Sequence, residues 1–142
     1  MGTKDKISLV VETVVQAPAD KVWELWTTPA HITQWNFATD EWHCPRAENN
    51  ITPGGRLAWR MEAKDGSMGF DYTGVYEEVV PQQLIRYKLE DGREVSIRFD
   101  DLAGKTKVTE SFEAKDSHAA EQQRAGWQAI LDNFRKYAES EK

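Results

Sequence analysis

One cysteine cannot make an internal disulfide, so Cys44 leaves this chain of 142 residues without that kind of cross-link. Such usage fits a reducing compartment and a cytoplasmic location. Basic charge is also scarce: 18 lysines and arginines stand against 24 aspartates and glutamates, a net charge of -6, with no basic run or tail. Nucleic acid and anionic membrane are poor partners for such a surface. No apolar run nears the ~18 residues of a membrane span. The leading stretch MGTKDKIS offers neither the apolar centre of a secretory leader nor a myristoylation signal, since Lys6 stands where Ser or Thr belongs. The expectation is a chain with no membrane span. Metal-binding patterns are missing too, because the three histidines, His31, His43 and His118, come without any CxxC or HExxH. Neither a metal nor another cofactor is expected.

What is present suffices for one real core. The length is one domain's worth, residues 1–142 with an ordered core from about 6 to 139, and such a domain buries roughly 70% of the surface its unfolded form exposes. ISLVVETVVQ, residues 7–16, is rich in β-branched residues and sets Ile7, Leu9, Val11 and Val15 on one parity, which predicts a half-buried strand. Pro18 suits a first helical turn, and Val22, Trp23, Leu25 and Trp26 follow at helical spacing, so a helix is predicted over 18–27. Thr28-Pro29 closes it and opens a second, short one.

From Thr52 onward the punctuation is hairpin chemistry: Pro53-Gly54-Gly55, Asp65-Gly66, Asp91-Gly92 and a looser turn at Ala103-Gly104. Between them the parity of Leu57, Trp59 and Met61, of Phe70, Tyr72 and Tyr76, of Ile85, Tyr87 and Leu89, and of Val95, Ile97 and Phe99 predicts an antiparallel meander of four or five strands over about 55–113 with one wet face. The period then changes. Gln123, Trp127, Ile130, Phe134 and Tyr137 recur at three- and four-residue steps after a Ser117 cap, predicting one long amphipathic helix over 118–139. These elements share a core only if that helix lies across the apolar face of the sheet, an α+β arrangement.

The runs APADKVWELWTTPAHITQW, PGGRL, GVYEEVVPQQLIRY, KVTESF and RAGWQAILDNFRKY, in this order, resemble the family of homologues of the heat-shock protein 90 ATPase activator. The resemblance covers nearly the whole chain. It implies the START-like helix-grip fold, also called SRPBCC, in which a curved antiparallel sheet wraps around a long C-terminal helix and a cavity usually lies between them. Function transfers less well, because the superfamily spans lipid carriers, hormone receptors, polyketide cyclases, oxygenase domains and co-chaperones on one scaffold.

Six tryptophans need a physical home. Trp23 and Trp26, on their helix, are assigned to the core. Trp35 and Phe37, after the short second helix, and Trp42, at the start of the next extended piece, are expected at one mouth of the sheet-helix cradle. Parity on the strands and spacing on the last helix then predict a ligand-binding cavity bounded by Trp35, Phe37, Trp59, Met61, Phe70, Tyr72, Trp127, Ile130 and Phe134. Glu110 shares parity with Thr106, Val108 and Phe112 and faces the same cradle unless a one-residue bulge turns it outward. Buried there, it must be protonated, bonded to a partner such as Tyr72, Tyr87 or Gln123, reach solvent, or meet a ligand. Gly126 implies either close packing of the last helix on the sheet or room for a bound molecule. Cys44 reads as a small buried hydrophobe and His43 as a rim residue, because neither has the partners that metal or nucleophile chemistry needs.

The leading expectation is therefore a binding module for a small apolar or aromatic molecule, with no catalytic residues assigned. A cyclase- or hydrolase-like enzyme in the same cavity is the alternative, with Glu110 or His43 as acid or base and Tyr72 or Tyr76 as donor. The family resemblance adds chaperone contact as a third expectation. That contact lacks support, because the eukaryotic activators carry an additional N-terminal domain and Met1 here stands almost at the first strand.

Overall fold

A computed structural model describes residues 8–114 and 120–140. The elements run β1 (Ser8–Val15), α1 (Ala19–Thr27), α2 (Pro29–Trp35), β2 (Trp42–Asn49), β3 (Arg56–Ala63), β4 (Gly69–Val80), β5 (Leu84–Leu89), β6 (Glu94–Asp101), β7 (Thr106–Glu113) and α3 (Ala120–Ser140). Ile7, Ser117 and His118, which the sequence places at a strand start and at the opening of the last helix, lie outside the described residues. The strands form one antiparallel sheet in the order β1-β7-β6-β5-β4-β3-β2. The result is an α+β helix-grip fold: a curled sheet, a long C-terminal helix and two short helices after the first strand. No helix of the described residues is long and apolar enough to cross a membrane.

Alternation of apolar and polar residues builds the sheet's two faces. Leu57, Trp59 and Met61 on β3, Ile85, Tyr87 and Leu89 on β5, and Val95, Ile97 and Phe99 on β6 are all buried, while the opposite parity carries charge ladders such as Arg86 with Glu78 at 2.9 Å. The 55–113 meander is present as β3 to β7, and the hairpin turns at Gly66, Gly92 and Gly104 take the positive φ that glycine tolerates. One turn escapes the glycine rule. Pro81-Gln82 links β4 to β5, and Gln82 itself adopts φ 65°.

β2 is the strand that periodicity does not reveal. It pairs only with β3 and its register shifts between His43 and Arg46, around Pro45. An edge strand tolerates proline, because the missing N–H takes nothing from a second neighbour. A second irregularity, between Tyr76 and Glu78 on β4, adds to the curl of the sheet.

The helices bridge the two edges of this curled sheet. α3 packs chiefly against β1, α2 packs against β2, and α2 and α3 touch each other. Leu131, Phe134 and Ala138 form the fully buried stripe of α3, so the predicted stripe holds at Phe134 but rotates by one residue at Leu131 and Ala138. Polar side chains fix the joints. Asn133 Nδ2 donates to the Trp35 carbonyl at 2.8 Å, Asn49 Nδ2 to the Thr27 carbonyl at 2.7 Å, and His31 Nδ1 lies 2.6 Å from the Tyr137 hydroxyl. These bonds hold the end of α2 where Trp35 reaches the concave face.

Candidate functional site

Between α3 and the concave face, side chains surround a cleft of about 160 Å³. β3 supplies Trp59 and Met61, β4 supplies Phe70 and Tyr72, and β7 supplies Glu110. Trp127 and Ile130, three residues apart, face it from α3, and Trp35 closes it from the end of α2. Trp59 and Tyr72 stack at 5.3 Å with their planes 11° apart, while Trp127 meets Tyr72 at 6.4 Å and 65°. Trp127 in turn stacks on Phe112 at 3.9 Å, which fixes its indole against β7. Phe70, 50% exposed, stands at the rim near Trp42.

Glu110 is 6% exposed, paired in register with Val11 on one side and Ile97 on the other. No bulge intervenes, so the parity of KVTESF carries it inward. No hydrogen bond or ion pair to its carboxyl is present among the described residues. Burial alone pushes its pKa up to about 8, so the group is mostly a neutral acid near neutral pH. Of the partners that the sequence offered, Tyr72 and Tyr87 bond to each other instead, hydroxyl to hydroxyl at 2.8 Å. Burial raises the pKa of both phenols, with the Glu110 charge adding to the same direction.

Two predicted wall residues stand elsewhere. Phe134 is fully buried against Trp26 and Trp35, with ring centroids 4.8 Å away in both cases, because the helix carries it past the cleft and under α1 and α2. Phe37 is not on the wall either: the chain turns as it leaves α2, with the Phe37 carbonyl facing Asn133 Nδ2 at 3.5 Å. Three residues belong to the wall without having been expected there: Trp26, Asn36 and Tyr87. Trp26 is buried, as assigned, yet one side of its indole also borders the cleft. Tyr87 was legible, since it shares parity with Ile85 and Leu89 on a strand next to β4. Asn36 had no signal beyond its place beside Trp35.

The remaining candidates lie outside the cleft. His43 Nε2 is 3.7 Å from Glu62 Oε1, on the face of β3 opposite to Met61. The Cys44 thiol is buried, its pKa raised by burial, and Sγ approaches the Arg46 carbonyl at 3.5 Å. Tyr76 donates its hydroxyl to Asn49 Oδ1. None of the three is among the residues that line the cleft with Glu110. Gly126 corrects a further expectation: a Cβ there would meet nothing within 4 Å, so close packing on the sheet is not why glycine stands there.

Residues 16–139 match the family described as Activator of Hsp90 ATPase homolog 1-like protein. In three dimensions the chain is similar to the AHSA1-like protein from Aeromonas hydrophila, solved in solution, with 39% identity and a TM-score of 0.88 over 95% of this chain and 94% of that chain. A protein from Cytophaga hutchinsonii, 44% identical, superposes with a TM-score of 0.79 over 96% of this chain and 93% of that one. A crystal structure from Nitrosomonas europaea shares the fold alone, at 16% identity and a TM-score of 0.83 over 95% of this chain and 96% of that chain. No curated protein matches the chain.

Proposed function

The chain belongs to the Activator of Hsp90 ATPase homolog 1-like family, and on that footing we propose that it binds a small apolar or aromatic molecule in the cleft between α3 and the sheet. Glu110 is the observation that carries this function. An unpartnered carboxyl in a closed core is a plain loss of stability, whereas at the floor of an aromatic cleft it anchors one polar end of a ligand. The cleft, about 160 Å³, is close to the roughly 150 Å³ of an engineered cavity that takes up benzene, which suits a body of about one ring. A single free, buried Cys44 accords with a cytoplasmic setting for that role.

Titration of small aromatic compounds against tryptophan fluorescence tests it, because Trp26, Trp35, Trp59 and Trp127 all border the cleft. Saturable quenching is expected. Trp127→Ala removes one wall and should forfeit on the order of 1 to 3 kcal/mol of contact, roughly 5- to 150-fold in affinity. The comparison holds for a mutant that still unfolds cooperatively, since the Phe112 stack is lost with it. A folded wild-type protein that shows no quenching would overturn the function, and the chaperone contact that the family's description invites would take the lead.

Acid–base catalysis in the same cleft is a second reading, favoured by one observation: a neutral carboxyl and a hydroxyl pair share its floor. It requires a ligand that itself carries the second reacting group, because no imidazole lines the wall among the described residues.

A further inference from the structure

The charge inventory of the cleft is one-sided. Among the described residues, Glu110 is its only ionisable group besides two phenols, and no lysine, arginine or histidine lines it. Arg93, whose charge reaches Tyr72, is tied to Asp91 at 2.8 Å. Elsewhere around Glu110 the neighbours are apolar or neutral: Val11 of β1 and Ile97 of β6 beside it, and Trp127 and Ile130 of α3 across the cleft. Strong donors for an anion are also missing among the described residues. The Tyr72 and Tyr87 hydroxyls are turned to each other, the Asn36 amide rests on Met61 Sδ at 3.7 Å, and the Trp59 indole N–H is sealed from the cleft without a partner. What remains exposed to a ligand is one carboxyl and several π faces at differing angles. Both attract positive charge, the carboxyl by its ionised form and the rings by their quadrupoles.

From this juxtaposition we infer that the cleft takes a small aromatic amine of about one ring, with its ammonium against Glu110 and its ring among the indole and phenol faces. The inference deepens the binding function above and rests on it. An anion of the same size would meet the ring faces with the wrong sign and find no positive group among the described lining residues, and a neutral molecule would gain the burial without the charge pairing. Net charge favours the same choice, since -6 on the whole chain draws cations toward it.

A proton balance follows. Near neutral pH the carboxyl holds a proton, and pairing with an ammonium expels it: the acid O–H bond breaks, the electron pair stays on the carboxylate, the proton goes to buffer and the amine keeps its own. Amine affinity should therefore rise as pH climbs through about 8 and fall once the amine itself deprotonates, near 10 for an alkylamine.

Phenethylamine, phenethyl alcohol and phenylacetate, matched in size but positive, neutral and negative, separate the possibilities. By calorimetry and fluorescence the amine should bind at least roughly tenfold tighter than the alcohol, with phenylacetate weakest. Repeating the calorimetry near pH 7 in buffers of different ionisation enthalpy should report release of about one proton. Glu110→Gln should abolish the amine's advantage over the alcohol and the proton release, in a protein whose cooperative melting shows it folded. Alcohol binding as tight as amine binding, or a preference for phenylacetate, would overturn the cation assignment and leave the binding function standing. Failure of all three to bind folded protein would overturn both.

Discussion

Glu110 sits between Val11 and Ile97 beneath an aromatic wall, so burial penalises its ionised form and no counter-charge stands beside it among the described residues. Its folded pKa, about 8, lies above the unfolded value near 4.5, so between these limits the native state holds a proton that the unfolded chain gives up. The associated stability is fully present below about 4.5 and is lost as pH rises through about 8. Glu110→Gln should flatten this slope, and denaturant unfolding of both proteins across the range should show the wild type losing on the order of a few kcal/mol relative to the mutant. Parallel curves would contradict the burial of an unpaired carboxyl. Strand parity with Val108 and Phe112 already marked Glu110 as inward in the sequence. The two glycines differ in a way that sequence does not reveal. A Cβ at Gly55 would run into the Asn50 carbonyl oxygen and lie 2.9 Å from that of Thr52, whereas at Gly126 it would meet open space. Gly126→Ala should raise stability by about 0.5–1 kcal/mol, and Gly55→Ala should lower it by at least about 1 kcal/mol, both read from thermal melts.

Among the elements, those with strong periodicity were legible and those held by tertiary contacts were not. β1, α1, the meander and α3 follow from alternation, turn glycines and a three- to four-residue repeat. β2 does not, because Pro45 and the register shift beside it erase a period that an edge strand does not need. The wall of the cleft divides in the same way. Residues on regular strands, Trp59, Met61, Tyr72 and Glu110, were placed by parity alone, and Trp127 and Ile130 by helical spacing. Phe37 and Phe134 were misplaced because their positions depend on how the α2 exit and α3 dock, which Asn133 sets through its bonds to the Trp35 and Phe37 carbonyls. Asn133→Leu should therefore loosen the mouth of the cleft. It should cost about 0.5–1.5 kcal/mol by removing one of the two donors to the Trp35 carbonyl, which keeps the Phe37 N–H at 2.8 Å, and aromatic ligands should dissociate faster from the folded mutant in stopped-flow measurements.

At the scale of the whole molecule, a curled sheet whose two edges are bridged by α2 and α3 leaves its concave face as the place where large rings meet. Some of them, such as Phe134 and Phe112, complete the core; others, such as Trp59, Tyr72 and Trp127, line the cleft above Glu110. The family sets this scaffold, and on it Glu110 stands as the one carboxyl among the described residues that line a largely aromatic cleft. Backbone amide shifts followed by NMR during a titration with phenethylamine test that account most directly, since they locate the ligand as well as detect it. Saturable shifts concentrated at Trp59, Tyr72, Glu110, Trp127 and Ile130 are the predicted result. Shifts confined to the outer, charged face of the sheet, or none at millimolar ligand, would contradict it.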